Sequence, residues 1–131
     1  MVSEGEGIRT VSVDTGVETA VDRVKSAVDD SPAEVMAVFD HRENAASVGR
    51  DLPPTTVVVF GNPELGTPLL RAYRTLGLDL PQRMLVYEDD GQTRIAYNDT
   101  AHLFDRHGVD DDDAEETITQ FLESIADSVR E

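Results

Sequence analysis

Three groups of residues have types and spacings that could do chemistry. Asp40-His41 closes an apolar run. Histidine exchanges a proton near neutral pH and an adjacent carboxylate raises its basicity, so this pair is the candidate acid–base couple, with His41 as the catalytic group. Neighbours on an extended strand face opposite ways, so the alternative is that Asp40 ties down the following turn while a backbone carbonyl satisfies His41. The second group, Gly61-Asn62-Pro63-Glu64-Leu65-Gly66, leads from another apolar run into Thr67-Pro68. Backbone N–H groups at such a strand–loop–helix junction can hold an anion or a carbonyl. Glu64 argues against phosphate, and the spacing fits neither the P-loop nor the dinucleotide fingerprint. Its competing reading is a tight turn in which Asn62 bonds locally and proline fixes the exit. The third group is His102, Asp105 and His107. His102 and Asp105 are three apart and can pair, but the two histidines are five apart, one too many for a shared helix face. With His41 they would make a zinc or iron site only if the fold brought them together, so no metal is assigned. Tyr73, Tyr87 and Tyr97 combine an apolar body with a polar tip, suited to a pocket wall or the rim of a core. Tyr97 joins Gly61, Asn62 and Pro63 as the candidate ligand-binding set.

These residues must be positioned by elements whose periodicity is readable. Ile8 to Val13 alternates as a half-buried strand does. Val17, Ala20, Val21, Val24, Ala27 and Val28 make one helix stripe, with Asp14 or Thr15 as cap and Ser31-Pro32 as stop. Val35 to Phe39 is a second strand, followed by a short helix from Glu43 to Val48 closed by Gly49. Thr55 to Phe60 is a third strand, and its unbroken Val57-Val58-Val59-Phe60 run predicts cover on both faces. Thr67 as cap and Pro68 at the first position predict the next helix, with a stripe of Leu69, Leu70, Tyr73 and Leu76 ending at Gly77. Met84–Glu88 and Arg94–Tyr97 flank Asp89-Asp90-Gly91, a strong hairpin signal. A short helix over Thr100–His107 and a last one from about Ala114 complete the chain. Ile118, Phe121, Leu122, Ile125 and Val129 lie along one side of that last helix.

Residues 1–7 are expected to be disordered and 8–131 to form a single α+β domain. The expected architecture is two layers, with helices on one face of a mixed or antiparallel sheet. The other face then needs a partner, which a homodimer would supply.

Composition narrows the function classes. Among 131 residues there is no cysteine, which removes disulfides, thiolate metal sites and cysteine nucleophiles. No apolar run approaches a membrane span, and the acidic opening is unlike a signal peptide. The net charge is −16, from 27 acids against 11 bases, and it repels nucleic acid and anionic membrane. Ten arginines stand against a single lysine, Lys25, and sixteen Asp against eleven Glu. In molar salt the screening length falls to about 3 Å and self-repulsion fades. Short carboxylates without lysine stems suit such brine, which predicts a halophile's cytoplasm. The acids of 110–113 precede a helix, where they complement its positive end; they lack the ligand alternation of a calcium loop.

Asp40-His41 followed by Ala45-Ala46, then Phe60-Gly61-Asn62-Pro63, Leu80-Pro81, Leu85-Val86-Tyr87-Glu88 and Tyr97-Asn98-Asp99 occur in an order and spacing that resembles the family catalogued as domain of unknown function 302. Thr100 departs from the proline expected after Asp99. The resemblance implies a small α+β domain of TATA-binding-protein-like topology that forms homodimers. It implies no reaction, substrate or cofactor.

The favoured expectation is therefore a non-catalytic, dimeric ligand-binding or sensing module with its site near Phe60–Pro63. One alternative is a small hydrolase- or isomerase-like enzyme using His41, with Asn62 or loop amides stabilising an oxyanion. A second alternative is a purely structural homodimer. The enzyme requires His41 and Asn62 to share a pocket, which antiparallel pairing of the second and third strands would forbid.

Overall fold

The alternating and unbroken apolar runs form five strands: β1 Ile8–Val13, β2 Glu34–Asp40, β3 Thr55–Gly61, β4 Gln82–Asp89 and β5 Gln92–Asn98. They pair in one sheet of order β1-β5-β4-β3-β2 in which every pair is antiparallel. The helices are α1 Val17–Asp29, α2 His41–Ala46, α3 Pro63–Ala72, α4 Thr100–Arg106 and α5 Asp112–Arg130, and a 3-10 turn, Arg74–Leu78, follows α3. The structure is a computed structural model that describes residues 5–130. Most of the segment expected to be disordered, residues 1–4, lies outside the described residues. Gly5–Gly7 instead form a turn tied to the sheet end, where Asp99 N donates to Gly7 O at 2.7 Å.

The α+β expectation holds, and the sheet is antiparallel throughout. The apolar stripes of α1 (Val17, Ala20, Val21, Val24, Val28) and α5 (Ile118, Leu122, Ile125, Ala126, Val129) are buried against one sheet face. Val58, Phe60, Met84, Val86 and Ile95 meet them there, all fully buried. Cover of the Val57–Phe60 run is complete on one face and partial on the other: Val58 and Phe60 are inaccessible beneath the helices, while on the second face Val59 is buried and Val57 half-buried. On that second face Phe39, Val57, Leu85, Ala96 and Thr10 align in one cross-strand row.

Several element starts differ from expectation. β4, β5 and α5 each begin two residues early, so that Asp112 and Asp113 lie in the first turn of α5 and do not precede it. Three other helix starts differ in their caps. α1 is preceded by Gly16, with no side-chain cap, instead of Asp14 or Thr15. α2 starts at His41, two residues early, because Asp40 caps it. α3 starts at Pro63 with Asn62 as cap, so Pro68 lies inside the helix, not at its first position. Asn62-Pro63 and Thr67-Pro68 carry the same cap-then-proline signal, and the chain uses the earlier one. A register shift between Val35 and Ala37 is a β-bulge that releases Met36 from the ladder. A Cβ on Gly61 would meet Met36 Cε at 3.4 Å and Pro81 Cβ at 3.5 Å, ordinary contact distances, so these two side chains flank the corner without requiring glycine there.

Candidate functional site

Two strand-to-helix junctions carry the sequence candidates, and both are built around a capping side chain. At the first, Asp40 Oδ1 accepts a hydrogen bond from Glu43 N at 3.0 Å. That is the turn-fixing role, and it commits the carboxylate to α2 and not to the neighbouring imidazole. His41 is exposed at the first helical position, and α2 buries none of its residues. At the second junction Asn62 Oδ1 accepts from Glu64 N at 3.1 Å, capping α3.

The register sets these junctions apart. Asp40 pairs with Thr56, whereas Gly61 pairs with Glu34, so they occupy opposite ends of the β2–β3 pair. About 17 Å of strand separates them at the usual rise. His41 and Asn62 therefore share no pocket, and the arrangement of His41 as base with Asn62 as oxyanion donor does not form.

What opens beside Gly61-Asn62-Pro63 is a groove of about 410 Å³, in the range of small-molecule sites. Its walls come from the start of β2, α3, the segment Leu80–Gln82 entering β4, and α5; Met36, Leu65, Leu69, Pro81, Ile118 and Phe121 are among them. Phe121 also packs edge-on against the buried ring of Phe60, with centroids 6.0 Å apart. Leu65 and Met36 are 42% and 44% exposed, which places them at the rim. Phe121 and Ile118 were legible only as helix stripe, and Met36 carried no signal at all, because its position depends on the bulge.

Tyr97 is not part of this groove. It is buried on β5, and burial chiefly raises its phenol pKa above the ordinary value; Arg9 lowers it, while Glu123, Asp127 and Asp99 raise it further. A larger hollow of about 520 Å³ lies between α1 and α5, and four of its six polar side chains bond the backbone. Ser31, Ser124 and Ser128 donate to backbone carbonyls, and Arg23 donates to Val129 O at 3.0 Å.

The histidines do not converge. His107 is buried between Asp79, at 2.5 Å from Nε2, and Thr75, at 2.9 Å from Nδ1, and Arg106 also bonds Asp79 at 2.9 Å. This knot fastens the 3-10 turn to the end of α4. His102 packs against Gly7 and makes no pair with Asp105. Among the described residues no three His, Asp or Glu side chains group as a metal site. Asp79 is 28 residues from His107, and no local pattern marks the pair.

A family model described as domain of unknown function DUF302 matches residues 9–125. The chain belongs to this family. The DUF302 match spans both capped junctions and the groove. In fold the chain is similar to an uncharacterised conserved DUF302 protein from Bacillus stearothermophilus. Their TM-score is 0.84 at 23% identity, covering 96% of this chain and 100% of that one. It is also 38% identical over 104 residues to proteins named fluoride-specific ion channel FluC 1 from Brucella suis and Brucella abortus. That stretch is 79% of this chain and 41% and 38% of those proteins, so the chain spans about two-fifths of their length. Among the described residues no helix is long and apolar enough to cross a membrane.

Proposed function

We propose that this DUF302 domain is a non-catalytic module that binds a small ligand in the groove beside Gly61, Asn62 and Pro63. One observation carries this: the corner where β3 gives way to α3 borders an accessible, mostly apolar hollow and is not plugged by the chain's own residues. The other chemical candidates are engaged locally, Asp40 as a cap and His107 in a knot. The test is a screen of small fragments, neutral and charged, against the isotope-labelled protein. Methyl signals of Met36, Leu69 and Ile118 are expected to move together. Movement confined to the His41 end would defeat the proposal.

The same reading makes the protein a homodimer packed through the second sheet face. That face presents the Phe39–Val57–Leu85–Ala96 row, and its acids sit only at the margins, Glu34 and Asp89, the latter 3.7 Å from Arg94. Five strands of this length offer roughly 500 Å² per protomer in plan, near the lower bound of about 1,000 Å² in total for a specific interface. Leu85→Arg is expected to convert a dimer to a monomer in sedimentation; a monomeric parent would remove this part.

The charge pattern supports a salt-rich cytoplasm as the setting. The unfolding midpoint should then rise as potassium chloride goes from about 0.1 M to molar levels, because screening shortens from about 10 Å to about 3 Å. A flat response would remove the high-salt assignment.

The Brucella relatives favour a second reading, in which the domain acts as an accessory to fluoride transport. Lacking a spanning helix among its described residues, it would contribute regulation and not a helical pore. Fluoride that shifts neither the melting temperature nor the groove signals would exclude direct sensing.

A further inference from the structure

We infer that the groove selects an uncharged, largely apolar small molecule carrying one hydrogen-bonding group, an inference that rests on the groove being the ligand site. Charged residues make up 29% of the chain and the net charge is −16, yet no charged residue lines the groove. Four acids, Glu34, Glu64, Asp79 and Glu116, and two arginines, Arg71 and Arg83, adjoin lining residues in sequence without being lining residues themselves, so the local balance is also negative. A carboxylate or phosphate entering the groove would move into that negative field and lose its hydration with no cation to replace it. An ammonium would be drawn by the field but would find no carboxylate in the walls to stop at. A hydroxyl or amide escapes both costs.

The groove also offers such a group two neutral partners. Asn62 has its Oδ1 occupied by Glu64 N, while its Nδ2 is free of hydrogen bonds to the described residues. Gln82 pairs with Phe60 across β3 and β4, which places its carboxamide on the helix side of the sheet, in the groove wall. The apolar walls would take the hydrocarbon body, and these amides the single polar end.

The experiment uses the full chain and matched probes: 1-hexanol, 1-octanol, octanoate and octylamine, titrated by calorimetry with methyl NMR to locate binding. Expected is binding of the alcohols at the groove, tightening about four-fold per added methylene. Octanoate and octylamine should bind at least about ten-fold more weakly, in low salt and in molar potassium chloride alike. Leu65→Glu, at a rim position 42% exposed, should weaken octanol by a similar factor while leaving the unfolding midpoint near that of the parent. Equal or tighter binding of either charged probe at the groove overturns the selectivity and leaves the groove as a ligand site. If no probe moves the groove methyls, the ligand-site reading itself falls.

Discussion

The two ends of the β2–β3 pair are built from the same local grammar and come to different things. At each, an apolar strand runs through a phenylalanine into an Asx side chain that caps the next helix, Asp40 to Glu43 N and Asn62 to Glu64 N. At the Asp40 end the helix is six residues long and fully buries none of them, Phe39 is 51% exposed and Val48 69%. Beyond Asn62 the helix is ten residues long, buries Leu69, and continues into a 3-10 turn anchored by the fully buried Leu76. A cap residue at a strand end is thus no mark of a site. The hollow at one end exists because α3, α5 and the bulged start of β2 lean together there without closing.

The largest effect that separates the ends should come from their phenylalanines. Phe60 is fully buried and touches Phe121. Phe60→Ala is expected to cost about 3–5 kcal/mol in urea unfolding, from lost transfer energy plus a cavity. Phe39→Ala, at dilutions that keep the protein monomeric, should stay within about 0.5 kcal/mol. Equal costs would mean that the His41 end is packed as firmly as the other.

The caps come next. Asn62→Ala and Asp40→Ala should each destabilise by about 1 kcal/mol. Only Asn62→Ala should also weaken octanol binding, since only its amide borders the groove. A binding loss in Asp40→Ala would show the ends to be coupled.

Tyr97, assigned to the ligand set from sequence, gives a third reference point. Its folded pKa is raised chiefly by burial, so the native state holds this proton more tightly than the unfolded chain. That contribution is complete below the ordinary tyrosine value of about 10 and is lost as pH climbs through the folded value. Alkaline unfolding should therefore be less steep in pH for Tyr97→Phe, with octanol binding near neutral pH unchanged. A binding loss there would return Tyr97 to the site.

Much of the fold could be read in the sequence because its signals are local. Alternation marked β1, an unbroken apolar run marked β3, and Asp90 and Gly91, both at positive φ of 51° and 78°, form the turn between β4 and β5 that their Asp-Gly pair predicts. The stripes of α1 and α5 named nearly every residue the helices bury. The site was legible only at one wall. Phe60-Gly61-Asn62-Pro63 marked the corner beside which the groove opens, but the opposite wall, Ile118 and Phe121, lies more than fifty residues away and reads as ordinary core. The bulge that frees Met36 and the His107–Asp79 contact have the same character: each depends on tertiary packing that no short window of sequence encodes.

The smallest effects test whether the two ends differ in backbone as well as in surroundings. Gly49, after α2, and Gly66, within α3, both have open space where a Cβ would go. Sterics therefore do not distinguish them; conformation does. Gly49 holds φ at +74°, where an L side chain costs about 1–2 kcal/mol, so Gly49→Ala should destabilise by about that much. Gly66 has no positive φ and sits inside a helix, where alanine restricts the unfolded chain more and frays the helix less. Gly66→Ala should stabilise by about 0.4–1 kcal/mol in thermal or urea unfolding. Because Gly66 lines the groove, the same methyl should alter octanol affinity, whereas Gly49→Ala should leave it untouched. If Gly66→Ala destabilised instead, the space beside Gly66 would be filled in solution, and this wall of the groove would be more closely packed than the open space at its Cβ position indicates.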